Sequence, residues 1–348
     1  MNAIHRFVGL GLAAGGLILL GGRGAAAAAP VGRYQVHHEA TIHHIPAGAK
    51  KARIWLVVPR EDRAQTAGEI RLTGPGKASI HQGGTYHNRY AYFEVENPGS
   101  SLTVAADFTV ERREAHTSID PDRARPVSST GQARFQEDLK ANTYVPINDK
   151  YQKLAREIVG DEQNPVRQAK KLYDWVLTHV EYWVKDPAHL KASPNGESDY
   201  CLTYKTGNCS DFHSLYSSLS RSLGIPTRMV YGSLFQGENT PVPNKASLDG
   251  KDVDGSYHCW IQFYAGGAGW VPLDVALANL LPTREQQEWY FGNLDARRVT
   301  WSYGRDLILA PKQDGGPVNA MQKVYVEIDG KPHTAWERKF TYRSVASD

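Results

Sequence analysis

The sequence predicts an α+β protein. Three observations carry this expectation: β-type runs through the first third, a change to helical periodicity near residue 148, and a return to a strong β run at Tyr257–Tyr264. At 348 residues, with 41% apolar and 10% aromatic residues, the chain is long enough for two packed domains and too apolar for wholesale disorder. Its 40 Lys+Arg against 37 Asp+Glu give a formal charge of +3. A balance so close to neutral speaks against nucleic acid as a partner, because phosphate binding needs clustered cations.

Residues 1–29 read as a cleavable signal peptide. Arg6 supplies the positive start, Phe7–Leu20 the apolar stretch, and Ala25–Ala29 the small residues for cleavage. A membrane anchor is the competing reading, but the apolar run is short of the roughly 20 residues a spanning helix needs. Cleavage removes Arg6 and Arg23 and no acid, which leaves +1. The expected location is periplasmic or secreted, with no stable membrane span afterwards.

Residues 30–115 are expected to form a small β-sandwich. Ala52–Pro59, Arg89–Val95 and Leu102–Val110 are strand-like runs separated by Gly, Pro and Asn turns. Residues 116–147, with Asp120-Pro121-Asp122 and Arg125-Pro126, read as a linker. A core is expected over 148–285, and 286–348 as its β-rich C-terminal extension. Asn164-Pro165 is a helix start, followed by Val166, Ala169, Leu172, Tyr173, Val176 and Val180 on one face.

A further helix is predicted from Asn208. Phe212, Leu215, Tyr216, Leu219 and Leu223 share a face, and Gly224-Ile225-Pro226 stops it. Asn208 as N-cap puts Cys209 in the first turn, where unpaired amides and the helix dipole favour a thiolate and can bind an oxyanion. A buried structural cysteine would show the same local pattern. Downstream, Tyr257–Tyr264 and Trp270–Asp274 flank a Gly-rich turn. A hairpin centred on Gly267 places Asp274 opposite Trp260, on the face that carries His258. Such a carboxylate would orient an imidazole. A surface histidine and a turn-capping aspartate would fit the same spacing.

Together, Gly207-Asn208-Cys209-Ser210-Asp211, Gly224-Ile225-Pro226-Thr227-Arg228, His258-Cys259-Trp260 and Gly269-Trp270-Val271-Pro272-Leu273-Asp274 resemble the transglutaminase-like superfamily, in its bacterial secreted branch. The resemblance implies a papain-like core, with a helix bearing the cysteine packed on an antiparallel sheet bearing histidine and aspartate. It implies Cys209 as nucleophile, His258 as acid and base, and Asp274 as orienting carboxylate. The implied reaction is acyl transfer on protein or peptide amides through a thioester, with cell-wall peptide a reasonable substrate for the compartment. Hydrolysis is expected over crosslinking, since water is always present and an amine acceptor needs a shielded site. The alternative is a non-catalytic binding or assembly module that keeps the fold.

Relatives add a side-chain oxyanion donor from an upstream segment, for which Tyr182 and Trp183 are candidates. His213 shares a helix face with Cys209 and, like Trp260, is a candidate substrate wall or supporting residue. The odd cysteine count and an oxidising compartment make Cys201 and Cys259 candidates for a disulfide. His37, His38, His43 and His44 alternate along a strand and read as a solvated face. No zinc-type spacing appears, so neither metal nor cofactor is expected.

Overall fold

The computed structural model describes residues 30–235 and 257–345. The signal-peptide reading of residues 1–29 lies outside the described residues.

Two antiparallel sheets form a sandwich at the N-terminal end of the chain. In the first, Val31–Ile42 lies between Leu102–Arg113 and Trp336–Ser344, with Gln65–Ala67 and Arg71–Thr73 on the outer edge. In the second, Lys51–Val57 lies between Asn88–Glu96 and Val324–Ile328, flanked by Lys77–Gly83 and Lys331–Pro332. Val36, Ala40, Ile54, Leu56, Phe93, Val104, Phe108 and Phe340 fill the space between them.

The strands at 324–344 correct the expected boundaries. They pair with Lys51–Val57 and Val31–Ile42, so the chain returns to complete the N-terminal sandwich instead of extending the core. The reason is edge satisfaction: Val31–Ile42 and Lys51–Val57 would otherwise each expose a row of backbone donors and acceptors. His38 also departs from expectation. It is buried, donates from Nδ1 to Val57 O at 3.1 Å, and stacks near Trp301. Burial pulls its pKa well below the ordinary value, so the ring is neutral. Its neighbour His37 meets the Asp107 carboxylate at 2.8 Å.

The second unit is a layer of helices on a four-stranded antiparallel sheet. The strand order is Gly269–Leu273, Tyr257–Ala265, Thr227–Leu234, Arg298–Tyr303. Asn164 caps the helix Pro165–His179 by accepting from the amides of Val166 and Arg167 at 3.0 and 3.1 Å. The helix Cys209–Ser222 is central, and all of its residues but Ser210 and Ser222 are buried. Phe212, Leu215, Tyr216 and Leu219 pack into a cluster with Leu172, Val176, Met229, Ile261 and Phe263. Gly224 follows it with φ +75°, the left-handed stop that the sequence predicts.

The two units share the strand Arg298–Tyr303. It pairs with Thr227–Leu234 in the core sheet, while Val299 and Trp301 belong to the sandwich cluster. Arg305, fully buried, then donates to Gly196 O and Ser214 Oγ, both at 2.6 Å, tying the C-terminal segment to the Cys209 helix.

Candidate active site

The site begins with a helix cap. Asn208 Oδ1 accepts from Ser210 N at 2.8 Å and Asp211 N at 3.2 Å, and Asp211 Oδ2 accepts from Asn208 N at 2.8 Å. This capping box fixes the first turn and takes the amides of Ser210 and Asp211, not that of Cys209. Asp211 points away from the thiol. It gathers Ser193 N at 3.1 Å and Glu197 N at 2.7 Å, which holds the preceding loop against the helix start. A Cβ at Gly207 would lie 2.3 Å from Asp211 Cβ, so only glycine leaves room for this arrangement.

The hairpin supplies the other two groups. Ile261 pairs with Leu273, Gln262 with Pro272 and Phe263 with Val271, the register centred on Gly267. His258 and Asp274 therefore fall on one face. His258 Nε2 lies 2.8 Å from Asp274 Oδ2, and its other nitrogen is left to the Cys209 sulfur. Asp274 is itself tightly held. Oδ1 accepts from Leu277 N at 3.0 Å, capping the helix Val275–Asn279, and Oδ2 accepts from Arg298 at 3.1 Å. Arg298 also donates to Asp295 Oδ2 at 2.6 Å and lies 4.8 Å over the Trp260 ring.

This geometry sets the charges. Burial opposes an imidazolium at His258, but the Asp274 carboxylate and the Cys209 sulfur outweigh it and push the pKa up to about 10. The neighbouring Cys259 thiol and His258 hold Cys209 well below an ordinary thiol against the penalty of burial. Asp274 stays far below the usual carboxylate range: burial raises it, and His258 and Arg298 more than reverse this. The resting state is a thiolate–imidazolium pair backed by a carboxylate.

Of the remaining predicted residues, Tyr182 is brought to the nucleophile. A short parallel pairing sets Gly207 beside Tyr182, and Asn279 Oδ1 fixes the Tyr182 amide at 3.0 Å. Burial, and then the neighbouring Cys209, raise the Tyr182 phenol well above the ordinary value. It is a neutral donor beside the sulfur. Trp183 instead packs against the hydrophobic cluster from a single 3-10 turn.

His213 and Trp260 are both buried. His213 Nε2 is 3.7 Å from Asp274 Oδ1 and its Nδ1 is 3.5 Å from Cys259 Sγ. Burial lowers its pKa to about 4 despite Asp274, so it is neutral where His258 is charged. Trp260 lies on Gly232, where a Cβ would approach its ring to 2.5 Å.

The expected Cys201–Cys259 disulfide is not formed; all three cysteines are free and buried. Cys259 faces the nucleophile helix, 3.5 Å from both Ser210 Oγ and His213 Nδ1. Cys201 is buried in the helix Ser198–Tyr204, where burial raises its pKa.

Arg298, Asp295 and Asn279 were not legible as site residues. Nothing in the local pattern marks Arg298 as the partner of Asp295. Among the described residues there is no His/Cys/Asp/Glu group that could hold a metal ion, and no helix is long and apolar enough to cross a membrane.

Comparison with known proteins agrees with this architecture. An uncharacterized protein of Haemophilus influenzae is 26% identical over 330 residues, covering 84% of this chain and 88% of its own. An uncharacterized Mycobacterium leprae protein is 26% identical over 238 residues, covering 67% and 79% respectively. A solved Cytophaga hutchinsonii structure described as a candidate cysteine protease shares the fold, with a TM-score of 0.59, 17% identity and 92% coverage of both chains. Residues 152–275, which carry Cys209, His258 and Asp274, match the family model of the transglutaminase-like superfamily.

Proposed function

We propose that the protein is a cysteine-dependent acyl-transfer enzyme that acts on protein or peptide amides through a thioester, with water as the favoured acceptor. One observation carries this reading: the Cys209 thiol, at the first turn of its helix, meets His258, whose other nitrogen is bonded to Asp274 at 2.8 Å. A merely structural cysteine has no need of a charged histidine or a buried carboxylate behind it.

The chemistry follows from those groups. The Cys209 thiolate attacks the amide carbonyl carbon, and the oxygen gains negative charge. The Cys209 amide and the Tyr182 hydroxyl are the donors placed to receive it. On collapse the C–N bond breaks, and the leaving amine takes a proton from the His258 imidazolium. That leaves a thioester and a neutral imidazole. Water then enters and gives a proton to His258 as it attacks. The C–S bond breaks, the acid departs, and the thiolate–imidazolium pair is restored. Asp274 holds the ring in one orientation throughout and stabilises its charged form.

Export is part of the proposal and rests on residues 1–29. N-terminal sequencing of the protein recovered outside the cytoplasm is expected to begin near residue 30. For the chemistry, brief exposure to iodoacetamide at neutral pH is expected to give a single adduct, on Cys209. The Cys209→Ala variant is expected to fold and to lose peptide hydrolysis and amine incorporation. A variant that matched wild type in both assays would leave the fold as a binding module.

A further inference from the structure

Cys259 is the unexpected group beside the nucleophile. It follows the catalytic histidine in the chain, yet its thiol lies 3.5 Å from both Ser210 Oγ and His213 Nδ1, the side chains one and four residues after Cys209 on the same helix. It is fully buried, whereas Cys209 retains about 5% exposure, and His213 closes the inner side at 3.5 Å. The acyl-transfer steps above use only the Cys209 sulfur. Two neighbouring thiols, one ionised and slightly exposed and the other protonated and enclosed, are arranged for a different reaction.

We propose that Cys209 and Cys259 are a covalent modification site for small peroxides, with Cys209 as the peroxidatic sulfur and Cys259 as its resolving thiol. The inference rests on Cys209 being the reactive thiolate of the proposed function, but not on the identity of any amide substrate. The Cys209 thiolate attacks one oxygen of hydrogen peroxide. The O–O bond breaks, and the departing hydroxide leaves as water with a proton from the His258 imidazolium. Cys209 is then a sulfenic acid. The Cys259 sulfur attacks the Cys209 sulfur, the S–O bond breaks, and the hydroxide takes the Cys259 thiol proton. The sum is two thiols and one peroxide giving one disulfide and two waters.

The geometry selects the oxidant class. Cys259 has no exposed surface and Cys209 very little, so a bulky disulfide such as oxidised glutathione has no direct line to either sulfur. Hydrogen peroxide, only two heavy atoms in size, needs far less room at the exposed edge of Cys209. The consequence is protective. A sulfenic acid left alone proceeds to sulfinic acid, which thiols do not reverse, whereas a disulfide is restored by reduction. In an oxidising compartment such a pair keeps the nucleophile recoverable.

The test uses the full mature chain, wild type and Cys259→Ser, with Cys201→Ser as control. Each is treated with hydrogen peroxide, blocked with iodoacetamide and analysed by intact mass and non-reducing peptide mapping. Wild type and Cys201→Ser are expected to lose two hydrogens in mass, to yield a linked Cys209–Cys259 peptide, and to regain full Cys209 alkylation after dithiothreitol. Cys259→Ser is expected to gain two oxygens at Cys209 and to stay unreactive after dithiothreitol. Equal, irreversible oxidation of wild type and Cys259→Ser overturns the proposal, as does a linkage that uses Cys201. Rapid iodoacetamide labelling of Cys209 before peroxide separates the two questions: if it is absent, the proposed function fails first; if it is present without the linkage, only this inference fails.

Discussion

Replacing Asp274 by asparagine separates the charge of the orienting group from its shape. Asparagine keeps an oxygen for the Leu277 amide, and Arg298 keeps Asp295 at 2.6 Å, so the fold is expected to survive. The cost in stability, from a buried guanidinium with one carboxylate fewer, is on the order of 1–3 kcal/mol. The effect on the site is larger. The rise of His258 from 6.5 to about 10 amounts to roughly 5 kcal/mol in favour of the charged ring. Burial works against that charge, and Asp274 is the first of the two groups that overcome it. Without the carboxylate, the proton is expected to return from His258 to Cys209 near neutral pH. The assay is the rate of iodoacetamide reaction at Cys209 across pH. Wild type is expected to be nearly flat from pH 6 upward. The variant is expected to be slower at pH 6 by about one to two orders of magnitude and to climb toward the ordinary thiol range, about 8.5. Turnover of a peptide amide is expected to fall by up to about four orders of magnitude, as in other triads that lose this charge. A profile that overlays wild type would show that Asp274 does not set the charge of the pair.

Two further predictions address the oxyanion donor and the ion pair. Tyr182→Phe removes the hydroxyl beside Cys209 and is expected to lower kcat by about 10²–10³ with little change in KM, while iodoacetamide labelling, which builds no oxyanion, stays near wild type. A proportional fall in labelling would make Tyr182 a packing residue. The pH dependence of stability follows from proton counting. His258 is raised, so its contribution is full below 6.5 and is lost as pH rises toward about 10. Cys209 is depressed from 9.0, so its contribution is full above 9.0 and is lost as pH falls below that value. Between 6.5 and 9.0 the folded pair holds one proton and so does the unfolded pair, and the two trends cancel. The melting temperature of wild type is therefore expected to be flat over that range as far as this pair decides it. In Cys209→Ala the histidine trend stands alone, and stability is expected to decline with rising pH. Parallel curves for the two proteins would contradict a thiolate–imidazolium pair.

Much of the core was legible because its signals are local. Asn208 and Gly224 bracket a helix through capping and a positive φ, both properties of a few consecutive residues. The Gly267 turn sets the hairpin register, and a two-residue period then decides that His258 and Asp274 share a face. Tyr182 was one of two adjacent candidates, and choosing between them took the parallel pairing of Gly207 with Tyr182 and the Asn279 anchor. The disulfide expectation failed for a related reason. Alternation along the strand could not say that the Cys209 helix packs against Cys259, which meets Ser210 and His213 instead of Cys201.

By itself the sequence determined what local physics controls: the helix that presents Cys209, the hairpin that aligns His258 with Asp274, and the residue types an acyl transfer needs. Only the tertiary structure decided what depends on distant segments meeting. Residues 324–344 return to the N-terminal sheets because unpaired strand edges must be satisfied, and nothing within those strands names their partners. Arg298 reaches Asp274 from a strand beyond the hairpin and neutralises charge that no short motif could balance. Cys259 lies against the nucleophile because a helix covers its side of the sheet. Each of these is a long-range contact set by burial and pairing across the whole chain, and each bears on how the Cys209 thiolate is held.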